Sequence, residues 1–155
     1  MIDTSLRDLY QEVILDHGRN PRHFGELPDP THEAHGHNPL CGDRVHLFLK
    51  LDGDGKVENV AFDGKGCAIS IASASMMTDL ILGKEVGEAR TLAEAFYRLA
   101  KGDPAESNVA AEDMERLEVM SGVSQFPMRV KCATLAWHTF ESALEQGVDP
   151  APIPE

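Results

Sequence analysis

The sequence predicts an α+β fold, a small antiparallel sheet of about three strands with helices packed against it. Three observations carry the prediction. Val45, Leu47, Leu49 and Leu51 alternate with Arg44, His46 and Lys50, the period of a strand with one buried face. Several other segments repeat their apolar residues at helical spacing. No internal repeat runs through the chain, which sets solenoid architectures aside.

Taken in order, Ser5-Leu6-Arg7-Asp8 has the form of a capping box, and Leu6, Leu9, Tyr10, Val13, Ile14 and His17 follow at helical spacing. A first helix is expected from Thr4 to His17, ended by Asn20-Pro21. From Arg22 to Pro39 the chain is rich in Pro, Gly and His, which suits a loop holding one short extended piece near His32 to His37. The alternating strand comes next, and Asp52-Gly53-Asp54-Gly55 turns the chain back. Val57, Val60, Ala61 and Phe62 supply the returning strand, with a bulge expected where the step from Val57 to Val60 breaks phase. The turn is not a calcium loop, because Lys56 and Val57 stand where that loop needs a ligand and a glycine.

After Gly64-Lys65-Gly66, the run from Cys67 to Leu82 lacks proline and internal glycine, so it reads as a buried helix closed by Gly83. Ser70, Ser73 and Ser75 are then small packing residues. Thr91 to Ala100 forms another helix, closed by Gly102, and the acidic stretch from Asp103 to Glu118 reads as a solvated helix and loop. Pro127 suits the first turn of a last helix, on which Met128, Cys132, Ala136, Phe140 and Leu144 recur every four residues as one apolar ridge before Gly147. Residues 1–148 are expected to form one domain, and the segment 149–155, with three prolines, a flexible tail.

The bulk numbers agree with one domain: 155 residues at 42% hydrophobic content suffice for an ordinary core. Twenty-six acids against fourteen bases give a formal charge of −12, which argues against nucleic-acid binding and toward a protein partner with a basic patch. The longest uncharged stretch, Gly66 to Thr78, is too short and too rich in serine and alanine to span a bilayer. Charges at Asp3, Arg7, Asp8, Glu12, Asp16 and Arg19 leave no apolar core for a secretory signal, so a cytoplasmic location is expected.

Three cysteines cannot all pair, and a reducing compartment keeps them as thiols. Each alone could be a small buried apolar residue. Their surroundings point to a metal. In extended backbone Cys41 and Asp43 share a side, with Gly42 between them letting the chain come close. Cys67 stands at a helix start, where free N–H groups favour a thiolate. Cys132 lies on the last helix, with Arg129 placed to set a cation beside its sulfur or beside a ligating carboxylate. Three thiolates and one carboxylate suit zinc better than magnesium or calcium. His35 and His37 share the phase of Cys41 and could serve as alternative ligands, but they read, like the other histidines, as solvated residues.

These residues carry a resemblance. Asp16-His17, Asn20-Pro21-Arg22, Phe24-Gly25, Asn38-Pro39-Leu40-Cys41-Gly42-Asp43, Gly64-Lys65-Gly66-Cys67-Ala68-Ile69-Ser70 and Arg129-Val130-Lys131-Cys132-Ala133, in that order, are similar to the blocks of the IscU/NifU amino-terminal family of iron-sulfur assembly proteins. The cluster-scaffold branch places a histidine immediately before the third cysteine, where this chain has Lys131. The long stretch between Cys67 and Cys132, with Gly83 to Glu118 inside it, resembles the insertion of the SufU branch. The resemblance implies an IscU-like fold and a zinc-dependent sulfur acceptor that serves a pyridoxal-phosphate cysteine desulfurase of the SufS type and a downstream iron-sulfur scaffold complex. It implies Cys41 as the acceptor and Asp43, Cys67 and Cys132 as companion ligands. The alternative it leaves is a scaffold holding iron or a transient iron-sulfur cluster on the same residues. A zinc site that only staples the fold is a third reading, disfavoured by the carboxylate ligand.

Overall fold

The computed structural model describes residues 4–39, 42–103, 109–146 and 152–153. Helix α1 (Thr4–Arg19) leads through a loop into strands β1 (His32–Asn38), β2 (Asp43–Leu51) and β3 (Val57–Lys65). Helices α2 (Ala68–Ile81), α3 (Val86–Lys101), α4 (Ala111–Glu118) and α5 (Pro127–Gln146) follow, with a short 3-10 turn at Ser121–Gln125. The three strands form an antiparallel sheet, β2 in the centre, as the alternating pattern requires. A two-residue strand β4 (Pro152–Ile153) lies parallel to β1, opposite His35 and Gly36, and is the paired part of the segment expected to fray.

The hairpin between β2 and β3 is closed by Asp52, whose Oδ1 accepts the N–H of Asp54 at 2.9 Å and of Lys56 at 3.0 Å. The expected bulge is present: Lys50 pairs with Asn59 but Leu51 with Val57, so Glu58 is the extra residue. The loop before β1 is tied to β3 as well: the Gly25 N–H donates to the Phe62 carbonyl at 2.8 Å, and the Phe62 N–H to the His23 carbonyl at 2.9 Å.

One face of the sheet carries the core. Helix α5 lies across β1 and β2, α2 packs on α5 and β3, and α1 covers α2. Leu47, Leu49, Val60 and Phe62 from the strands meet Met77, Leu80, Trp137 and Phe140 from the helices, all buried. Burying each such side chain contributes about 1.5–3 kcal/mol. Trp137 stacks on Phe96 with ring centroids 5.3 Å apart, which fixes α3 to α5.

Three expectations are corrected. Helix α3 starts at Val86 rather than Thr91, because the helix runs through Gly87, a residue that locally signals a break. The apolar ridge of α5 begins at Cys132: Met128 is 47% exposed, and its neighbours Pro127 and Arg129 are exposed with it. The acidic stretch is not wholly solvated. Within it Leu117 is buried, and Asp113 is buried with its carboxylate 3.5 Å from the Lys84 ammonium. Among the described residues no helix is long and apolar enough to cross a membrane.

Candidate metal centre

Three of the four expected ligands meet at one end of the sheet. Asp43 is the first residue of β2, opposite Asn38 of β1, and is fully buried. Cys67 caps α2 in extended backbone (φ −70°, ψ 165°), and its Sγ accepts the Ser70 N–H at 3.4 Å. The sulfur thus faces the positive end of the helix. Cys132, 3% exposed, sits on the second turn of α5. The ligand-type atoms of Asp43, Cys67 and Cys132 all lie within 4.8 Å of one another. Cys41, the fourth expected ligand, lies outside the described residues. Its neighbour Gly42 adopts φ +74°, a left-handed conformation that suits glycine, and donates its N–H to the Asn38 carbonyl at 2.8 Å.

The carboxylate of Asp43 could take a cation here. Its Oδ1 accepts the Cys67 N–H at 2.9 Å, whereas its Oδ2, equally buried, has no hydrogen-bond partner among the described residues. An uncompensated buried carboxylate oxygen is costly. Basic side chains do not supply the cation, since no ion pair to Asp43 occurs among the described residues. A metal shared with two sulfurs would, and bonds of about 2.0–2.3 Å to oxygen and sulfur suit zinc in such a donor set. Gly66 completes the cradle: a Cβ there would run into the Asp43 carboxylate.

Other sequence-derived candidates fall elsewhere. His35 and His37 do not join this cluster, because they alternate onto the opposite, open face of the sheet, where His35 stacks on His46 at 3.9 Å. Burial, then the neighbouring His46, holds His35 below the ordinary histidine range. Arg129 is exposed and lies over the Phe126 ring, 4.6 Å from its centroid. The serines of α2 pack, as expected; the Ser70 hydroxyl has no hydrogen-bond partner among the described residues, but Ser73 and Ser75 also bond. Ser73 donates to the carbonyl of Ala133 at 2.5 Å, next to Cys132, and Ser75 Oγ accepts the Arg22 N–H at 2.8 Å and lies 2.6 Å from His17 Nδ1. The signal for this was legible, because a hydroxyl inside an apolar helix needs a partner.

The fold, with an Asp-Cys-Cys cluster that could hold a metal ion, defines a domain of a known kind. Residues 9–133 match the model of the NifU-like N terminal domain, and the chain belongs to that family. It is similar to the zinc-dependent sulfurtransferase SufU of Bacillus subtilis, 44% identical over 146 residues that cover 94% of this chain and 93% of that one. It is also similar to the iron-sulfur cluster assembly scaffold protein IscU of Streptococcus pyogenes, 40% identical over 146 residues, 94% of this chain and 89% of that one. Among solved structures, the amino-terminal part of a nitrogen-fixing NifU-like protein from Brucella abortus superposes with a TM-score of 0.79 at 27% identity, covering 92% of this chain and 96% of that one.

Proposed function

We propose that this chain is a zinc-dependent sulfur acceptor of the cytoplasm, which takes persulfide sulfur from a pyridoxal-phosphate cysteine desulfurase of the SufS type and delivers it to an iron-sulfur scaffold complex. The observation that supports it most is the buried Asp43 Oδ2, without a hydrogen-bond partner among the described residues, beside two thiols, a donor set suited to zinc. Similarity to the Bacillus sulfurtransferase supports the same reading. When bound, zinc would keep the sulfurs deprotonated and would bring no redox chemistry of its own.

Cys41 is the proposed acceptor. Its thiolate attacks the outer sulfur of the desulfurase persulfide; a new S–S bond forms at Cys41, the old S–S bond breaks, and the desulfurase cysteine leaves as thiolate. No outside oxidant or reductant enters, because one persulfide replaces another. Asp43, Cys67 and Cys132 keep their place at the end of the sheet while this happens, held by β2, the α2 cap and α5. Arg129, near the start of α5, adds a cation at the approach to the site.

A second reading, a scaffold that carries iron or a transient iron-sulfur cluster as cargo, has the Streptococcus relative in its favour. Lys131, standing where the scaffold branch has a histidine, favours transfer. Elemental analysis with the visible spectrum separates the two: colourless protein with about one zinc per chain supports transfer, and brown protein holding iron and sulfide supports the scaffold. With −12 formal charge, stimulation of a desulfurase should weaken as salt rises; stimulation indifferent to ionic strength contradicts steering by a basic patch.

A further inference from the structure

The open face of the sheet, turned away from α2 and α5, carries three nitrogen-bearing side chains abreast. Cross-strand register sets His37 opposite Arg44 and Arg44 opposite Lys65, so two permanent cations stand side by side on neighbouring strands. Like charges directly opposite destabilise a sheet. In a chain of formal charge −12 there are acids enough to separate them. Yet neither Arg44 nor Lys65 forms an ion pair among the described residues. The nearest acid across the strands, Asp63, stands a row further along, opposite His46, and its Oδ1 accepts the Gly64 N–H at 2.7 Å.

The same side chains surround an open cavity. Its volume is about 720 Å³, and His35, His37, Arg44, His46, Asp63 and Lys65 line it. Arg44 alternates with Asp43 along β2, so this cavity and the metal cluster occupy opposite faces of the sheet and draw on different side chains.

We propose that this cavity binds a phosphate-type oxyanion, held between Arg44 and Lys65 with the His37 ring as a third donor. Strands about 4.8 Å apart set the three nitrogen groups in a row that a tetrahedral ion can bridge with separate oxygens. A planar carboxylate offers two oxygens and leaves one donor unmatched. Guanidinium and ammonium are the side chains best suited to phosphate, and an anion between them turns a repulsive pair into two attractions. The volume leaves room for an organic group attached to the phosphate, since small-molecule sites span roughly 300–1,000 Å³. The stacked rings of His35 and His46, 3.9 Å between centroids, supply a flat wall for such a group.

The test titrates the zinc-loaded full chain with inorganic phosphate at constant ionic strength, following the backbone amide resonances of Gly36, His37, Arg44, Gly64 and Lys65, with succinate as the carboxylate arm. Saturable shifts confined to these residues are expected, weakened at least tenfold in the double variant Arg44→Gln, Lys65→Gln. Phosphate should raise the melting temperature of the wild type and leave that of the double variant unmoved. Without phosphate the double variant should melt no lower than the wild type, because the repulsion is gone; should it fail to fold, Lys65→Gln alone carries the comparison. Shifts that never saturate, shifts spread equally to Lys50 and Arg98, or equal binding by the variant overturn the site. Succinate binding as tightly as phosphate overturns the choice of ligand.

Discussion

The Asp43 carboxylate accepts the amide N–H of Cys67 at 2.9 Å, joining the start of a strand to the cap of a helix 24 positions further along the chain. One oxygen of the acid is thereby fixed; the other has no hydrogen-bond partner among the described residues and belongs to a cluster with Cys67 and Cys132 that could hold a metal ion.

The glycine beside this bond gives the first prediction. A methyl group on residue 66 would be driven into the Asp43 carboxylate, so Gly66→Ala must displace either the acid or the Cys67 cap. Zinc affinity, measured by competition with a chromophoric chelator, should fall at least about tenfold, the loss seen when groups supporting metal ligands are disturbed. The far-ultraviolet circular dichroism should stay that of the wild type. Unchanged affinity would show that Asp43 is not a ligand.

A metal at this place would link β2, α2 and α5. Stabilisation at one hundred times the dissociation constant is about 2.7 kcal/mol, which for a chain of this size is roughly 5–10 °C in melting temperature. Scanning the protein with and without a strong chelator should show a drop of that order, and the double variant Cys67→Ala, Cys132→Ala, left with two ligands, should abolish the difference. Equal melting temperatures in both buffers would uncouple the cluster from folding.

Much of this was legible in the chain. The period-two run from Val45 to Leu51 marked the central strand because one face of it is buried, and the phase break after Val57 marked the bulge at Glu58. Glycine and proline located most helix ends, except where Gly87 lies inside α3 and conceals its start. Asp43, Cys67 and Cys132 were named from chemistry and resemblance, but spacing alone could not bring them together, since they sit on three elements far apart in sequence. The row of His37, Arg44 and Lys65 was invisible for a related reason: it exists only through strand register.

His17 offers a test by pH. It is half-buried between α1 and α2, with Nδ1 2.6 Å from Ser75 Oγ, and burial, followed by the Arg22 charge, holds it below the ordinary histidine value; Asp79 and Asp16 oppose this. The folded protein therefore keeps the ring neutral at pH values where the unfolded chain would protonate it. Its contribution to stability is complete above about pH 6.5, the unfolded value, and is lost as pH falls below that toward the folded value. In urea titrations of metal-free protein, His17→Gln should lose less stability than the wild type between about pH 7.5 and 5.5. His32 and His35 are shifted the same way, so the variant should flatten the slope without removing it. A variant as steep as the wild type would contradict the assignment.

The central claim, that Cys41 receives sulfur while its companions hold the metal, is tested most directly by mass spectrometry after incubation with cysteine and a SufS-type desulfurase. Three protein ligands with a water can hold zinc, so Cys41→Ser should keep its metal. The wild type should gain one sulfur on the peptide containing Cys41, and Cys41→Ser should gain none and leave desulfurase turnover unstimulated. Sulfur found only on Cys67 or Cys132, or full stimulation by the serine variant, would contradict the account; so would a wild type that gains no sulfur and instead takes up iron and sulfide as a stable coloured cluster.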